Sequence, residues 1–255
     1  MSFGLFSTYY LFKKEVTRFL KVYHQTLLAP AVSALIFLQV FILALSEDVI
    51  IVKELSFKEF MASGLIIMTM VQNSFANTSS VLTAGKVTGN IVDYLAPPFT
   101  PLELTVGLVM GGIVRSMLVG IITSCFLCFF VKMHIYHYGL LIFYSLASSC
   151  FLALLGILAG MAAESFDQLS AITAYIVSPL SFLSGTFYSI KKLPPLLYKL
   201  SNYNPFFYMI DGFRYSLTDY HDSSIYLGIT VLSVSTVILF SLTYFCIKIG
   251  WRIKS

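Results

Sequence analysis

Apolar residues run in long uncharged stretches along this chain, separated by short polar segments. A bilayer core of ~30 Å is crossed by roughly 20 apolar residues in a helix. Six stretches meet that length: Leu27–Ser46, Phe60–Ala84, Leu104–Val131, Gly139–Ala163, Leu169–Ile190 and Ile225–Ile247. Only the third holds a charge, Arg115, while the second is rich in Asn, Ser and Thr. Before the first, Leu5, Tyr9, Phe12, Val16, Phe19 and Tyr23 recur at steps of three and four, with Lys14, Glu15, Arg18 and Lys21 opposite. That pattern predicts an amphipathic helix lying along the membrane surface, its cations near the lipid headgroups. The expected fold is an all-α membrane protein: one transmembrane domain over residues 1–255, with an interfacial helix at about 5–23 and six spans.

Composition agrees with this reading. Apolar residues make up 58% of the 255 and charged residues 11%, and mean hydropathy is +0.85. A soluble surface needs about a quarter charged residues. The net charge of +4 is too small and too scattered for nucleic acid binding. No cleavage site precedes the first span, so it is expected to remain in the mature protein. Cys125, Cys128, Cys150 and Cys246 all fall within apolar runs, and the Cys125-x-x-Cys128 pair has no further ligands nearby, so apolar packing is their expected role. His134 and His137 likewise read as polar residues at an interface, with no metal expected.

Orientation rests on the cations. An even number of spans puts both tails on one side with Lys13, Lys14, Arg18, Lys21, Lys86, Lys248, Arg252 and Lys254. The other side holds Lys53, Lys58, Lys132, Lys191, Lys192, Lys199 and Arg214, so whole loops barely discriminate. The flanks of the first span do: four cations precede it, whereas Glu47, Asp48, Glu54 and Glu59 outnumber Lys53 and Lys58 after it. Both termini are therefore expected in the cytoplasm.

Two connections are more than turns. Between the second and third spans, Asn90 to Ala96 suits a short helix with Ile91, Tyr94 and Leu95 on one face, stopped by Pro97, Pro98 and Pro101. Between the fifth and sixth, Pro194-Pro195 starts a short helix, Asn204-Pro205 breaks it, and Phe206 to Ile210 forms an apolar stub too short to span. Such a stub on an aqueous face is costly, which predicts a re-entrant helical pair buried against protein at its tip. Pro179 is expected to kink the fifth span. Gly107, Gly111, Gly112, Ser116 and Gly120 in the third span, and Gly156 and Gly160 in the fourth, let helices approach closely, within the bundle or between copies.

The residues Ser178-Pro-Leu-Ser-Phe-Leu-Ser-Gly-Thr-Phe-Tyr188, Leu193-Pro, Asn204-Pro, Tyr208 and Gly212-Phe-Arg214 resemble the signature of bacterial ABC-2 type permeases. Asp93-Tyr-Leu-Ala-Pro97, Gly111-Gly-x-x-Arg115 and Phe166-Asp167 extend that resemblance upstream, toward the inner-membrane branch related to drug and nodulation-factor exporters. The resemblance implies a homodimeric permease, surrounded by membrane lipids and paired with two copies of a cytoplasmic ABC ATPase. ATP and Mg would bind on that partner, and the cargo would be amphipathic, lipid-linked or drug-like, or else a polysaccharide. It places ATPase coupling at Lys86, Asn90, Ile91, Asp93 and Tyr94, and an outer gate at Gly185, Tyr188, Asn204, Pro205 and Arg214. Gly85-Lys86 is followed by Val87 and lacks the earlier Gly of a phosphate loop, so the chain itself is not expected to hydrolyse ATP.

Arg115 carries two readings. A charge inside a span faces the bundle or a wet cavity and marks function, or its side chain snorkels to the cytoplasmic headgroups. Gln72, Asn73 and Asn77 are its candidate partners. Glu164 and Asp167 read as a solvated cytoplasmic turn or an ATPase contact. Ionisable carboxylates near mid-membrane, common in ion-coupled transporters, are absent from all six stretches.

Overall fold

The computed structural model describes residues 4–44, 50–52, 55–90 and 99–252, nearly all of them helical apart from one short antiparallel strand pair at Ile50–Val52 and Leu55–Ser56. Helix α1 is Leu5–Leu20. A π-helical turn, His24–Leu28, leads into α2, Ala29–Ala44. Then come α3, Phe57–Val87; α4, Pro101–Cys128; and α5, Tyr138–Ala162. The fifth stretch is divided into α6, Phe166–Ile172, a π-helical turn, Thr173–Val177, and α7, Ser178–Phe182. A 3-10 turn at Ile190–Lys192 precedes α8, Pro195–Tyr203, and α9, Pro205–Thr218, and α10 is Ile225–Ile249.

Among the described residues four stretches, His24–Ala44, Pro101–Cys128, Tyr138–Ala162 and Ile225–Ile249, are long and apolar enough to cross a membrane. Helix α3 is the longest at 31 residues, and its polar side chains lower its hydropathy. They point inward. Ser74 Oγ donates to the Ser149 carbonyl at 2.6 Å, and Thr78 Oγ1 to the Ala153 carbonyl at 2.8 Å, both on α5. Hydroxyls bonded across helices hold the bundle where lipid offers no hydrophobic drive between helices. Helix α3 is thus the hub, packed by α2, α4, α5 and α9. Its entry is fixed by a capping box in which Ser56 and Glu59 satisfy each other's backbone N–H, and Thr100 and Glu103 do the same for α4.

The small residues are spent inside the chain. A Cβ on Gly156 would lie 2.5 Å from the Phe75 carbonyl oxygen, and one on Gly160 would lie 2.7 Å from that of Ser79. Gly112 and Gly120 meet α3, whereas Gly107 and Gly111 lie under Leu11 and Glu15 of α1.

That last contact corrects the expected face of α1. Tyr9 and Tyr23 are exposed, and the buried face is Leu11, Glu15 and Phe19, set against α4. Two glycines four apart on α4 open a trough that receives two side chains four apart on α1. Glu15, expected among the outward polar residues, is therefore fully buried. The amide of Gly4 donates to the Glu103 carboxylate and ties the start of α1 to the start of α4.

The fifth stretch also differs from expectation. It begins at Phe166, where Ser165 Oγ accepts from the Gln168 amide at 3.2 Å, and its helix stops at Phe182 instead of continuing to Ile190. The stop has a local cause. Gly185 adopts φ +75°, a conformation that L side chains resist, and the Ser184 and Thr186 hydroxyls both turn back to the Ser181 carbonyl. The Pro179 irregularity takes the form of the π-helical turn just before it. Proline has no N–H, and its ring collides with the carbonyl four residues back; a π-turn widens the helix at that point. Pro30 stands in the same relation to the turn at His24–Leu28.

Candidate functional site

Between the middle of the bundle and the Lys86 end of α3, α1, α3 and α4 bring together a polar layer. Arg115, from α4, is 9% exposed and donates from Nη2 to Asn73 Oδ1 at 2.9 Å. Its Nε is buried with no hydrogen-bond partner. The side chain thus stays within the bundle, which removes the snorkelling reading. One turn along α3, Asn77 accepts from Arg18 Nη2 through both its backbone and side-chain oxygens, each at 3.0 Å. Arg18 in turn donates to Glu15 Oε2 from Nε (3.1 Å) and Nη2 (2.9 Å). Of the residues singled out in the sequence, Arg115, Asn73 and Asn77 meet here. Glu15 and Arg18 join them, although their placement on a polar face gave no sign of it. The available signal was the matched spacing of Leu11/Glu15 with Gly107/Gly111.

Asn73 also borders a groove of about 500 Å³ between α3 and the α6–α7 stretch. Gln72, Ser79, Ser80, Ser170 and Thr173 contribute amides and hydroxyls, and among the described residues Phe75 is its one ring. Asn73 itself is doubly held, by Arg115 on its oxygen and by the Thr69 carbonyl, which accepts from its Nδ2 at 2.9 Å. A second cleft of about 700 Å³, between α4 and α5, is apolar and includes Cys125 and Cys128.

At the end of α3, Lys86 turns inward. Its ammonium donates to the Met161 carbonyl and, at 3.0 Å, to that of Ala163, where α5 ends with unsatisfied acceptors. Arg252 Nη1 adds a bond to the Ala162 carbonyl at 3.3 Å. Lys86 therefore ties α3 to the end of α5, a role not legible from the loop alone. Asn90 is exposed. Ile91, Asp93 and Tyr94, with the short helix expected from Asn90 to Ala96, lie outside the described residues.

At the opposite end, the expected outer gate is held largely through backbone: Arg214 reaches Gly185 directly, whereas Asn204 and Tyr188 bond to backbone outside that set. Arg214 is buried, donates to the Gly185 and Thr186 carbonyls at 2.8 and 3.3 Å, and sets its guanidinium 3.6 Å over the Phe60 ring. Asn204 caps α9 by accepting from the Phe206 amide at 3.0 Å, and its Nδ2 reaches the Leu180 carbonyl at 2.8 Å. Pro205 opens α9 where a missing N–H costs nothing. Tyr188 donates to the Phe182 carbonyl at 3.0 Å. The loop between α9 and α10 is pinned as well: Asp211 accepts from the Asp222 and Ser223 amides, and Asp222 from Ser189 and Ile190. Burial, and the hydrogen bond donated to Asp222 at 2.5 Å, push the Tyr220 phenol up to about 12. His137 pairs with Asp219 at 3.1 Å and stacks on Tyr215. Among the described residues there is no group of three metal-ligating side chains.

Residues 7–218 fit the model of the ABC-2 type transporters. The chain belongs to the ABC-2 type transporter family. It is similar along 96% of its length, and of theirs, to the inner membrane transport permease YadH of Escherichia coli K12, with 29% identity over 245 residues. The YadH proteins of Escherichia coli O157:H7 and Shigella flexneri match to the same degree.

Proposed function

We propose that this chain is the permease subunit of an ATP-binding cassette exporter in a bacterial inner membrane. It works as a homodimer with two copies of a separate cytoplasmic ATPase. Six spans, α2, α3, α4, α5, α6–α7 and α10, cross with both termini in the cytoplasm. Helices α8 and α9 form a re-entrant pair that closes the outer end of the pathway, and the segment 86–96 is the coupling element.

The observation that carries this reading is the groove between α3 and α6–α7. A groove edged by amides and hydroxyls is costly against lipid tails. A second copy of the chain laid over it encloses a path between the two. The Arg115–Asn73 bond holds one edge of that path in place. Among the described residues the lining has one aromatic ring, Phe75, and offers little platform for stacking sugars. That favours an amphipathic, lipid-linked or drug-like cargo over a polysaccharide. No Asp or Glu borders the groove among the described residues, and this disfavours ion coupling.

The chain reconstituted with its ATPase should show vanadate-sensitive hydrolysis stimulated by amphipathic compounds. Asn73→Leu, which places a branched apolar side chain on the groove, should reduce that stimulation severalfold while basal hydrolysis persists. Transport that survives ATP depletion but collapses with an uncoupler would support ion coupling instead.

A further inference from the structure

The side of α1 turned away from α4 has its own chemistry. Tyr10, Lys13, Lys14, Thr17, Arg18 and Lys21 border a groove of about 620 Å³. Four of these are cations. Glu15, the only carboxylate in α1, is turned to the other face and buried against α4. Tyr10 and Val22 of the same groove are exposed, as are Leu20 and Tyr23 nearby in the chain. Exposed rings and aliphatic side chains interleaved with Lys and Arg are poorly suited to water, but they match the boundary between headgroups and acyl chains.

Arg18 gives the groove a fixed anchor. Its guanidinium is held from behind by Glu15 Oε2 and by both oxygens of Asn77, and the side chain remains about one-third exposed toward the groove. A planar guanidinium already oriented by three acceptors loses little further freedom when a phosphate binds its open edge.

We propose that this groove binds the phosphate headgroup of an anionic phospholipid from the cytoplasmic leaflet, with Arg18 as the anchor and Lys13 and Lys21 supplying counter-charge. The acyl chains lie along Tyr10 and Val22. The site places the lipid next to α3, because Asn77, which holds Arg18, stands one turn from the groove residue Asn73. The inference needs α1 at a membrane surface but no ATPase, so it stands or falls separately from the export mechanism.

The test uses the full chain in phosphatidylcholine nanodiscs titrated with phosphatidylglycerol, with bound lipid counted by native mass spectrometry. Phosphatidylglycerol should be retained in preference to phosphatidylcholine, and less so as salt rises. The exposed pair K13Q/K21Q should lower that retention by roughly thirtyfold, at ~1 kcal/mol for each of the two cations near an anionic surface. The control pair K192Q/K199Q, at the other end of the molecule, should leave it unchanged. Retention by K13Q/K21Q equal to the parent's, or an equal loss in the control pair, would overturn the proposal. Displacement of the lipid by millimolar inorganic phosphate would also overturn it, since the groove would then be a site for free phosphate.

Discussion

At the residue scale, close approach of helices decides which side chains are tolerated. Tyr144 is fully buried, with its ring against Gly212 and its hydroxyl toward Gly228. A Cβ on Gly212 would come within 2.0 Å of a ring carbon that has nowhere to go. Gly212→Ala is therefore expected to cost about 3 kcal/mol, the upper range for overpacking, and to lower the melting temperature of the detergent-solubilised chain by several degrees. Gly139→Ala is the matched control: nothing lies within 4 Å of its Cβ, and alanine is the better helix former. An unchanged melting temperature in Gly212→Ala would mean that α5 and α9 do not pack as described. Buried polar residues show the same economy. Arg214 closes on two carbonyls and a ring, Arg115 on an asparagine, and Lys86 on the open end of a neighbouring helix. Each satisfies acceptors that would otherwise be left bare in a medium without water.

At the scale of elements, α1 is the part whose position differs most from what its own sequence implies. A helical wheel ranks residues by polarity and sets Glu15 and Arg18 outward. The trough at Gly107 and Gly111 turns the helix, so that Leu11 and Glu15 face α4 and Tyr9 faces out. Gly107→Val should push α1 off, since a Cβ there already lies 2.6 Å from Leu11. Trypsin should then cut at Lys13 and Lys14 several times faster than in the parent, as read by mass spectrometry; an unchanged cleavage rate would argue against this docking. The long helices were legible in the sequence because uncharged apolar runs of that length have few alternatives, and α3 was legible despite its polarity because its central stretch, Phe60–Ala84, carries no charge. The broken pair α8–α9 was legible from Pro194-Pro195 and Asn204-Pro205. The early end of α7 was not, although Ser184-Gly185-Thr186 is turn chemistry and carried the signal. The inward turn of Lys86 had no local signal, because its partners lie more than seventy residues away in sequence.

At the scale of the whole molecule, the bundle divides its tasks along its length. One end, the proposed outer one, is fixed by hydrogen bonds from Arg214, Asn204 and the Asp211–Asp222 loop. A polar layer beside a groove lies between it and the other end, which carries Lys86 and the start of the segment proposed to meet the ATPase. That division suits a machine driven from one end and gated at the other, with a path between two copies. The central claim is that the chain takes its energy from a partner bound at residues 86–96. The most direct measurement is recovery of an ABC ATPase with the tagged chain purified from its native membranes. That recovery should be compared with a variant in which residues 88–96 are replaced by a Gly-Ser linker and Lys86 is retained, so that α3 stays tied to α5. The parent should bring down an ATPase in equal stoichiometry, and the variant should fold to the same melting temperature but lose at least nine-tenths of that partner. A folded variant that retains the ATPase would contradict the account.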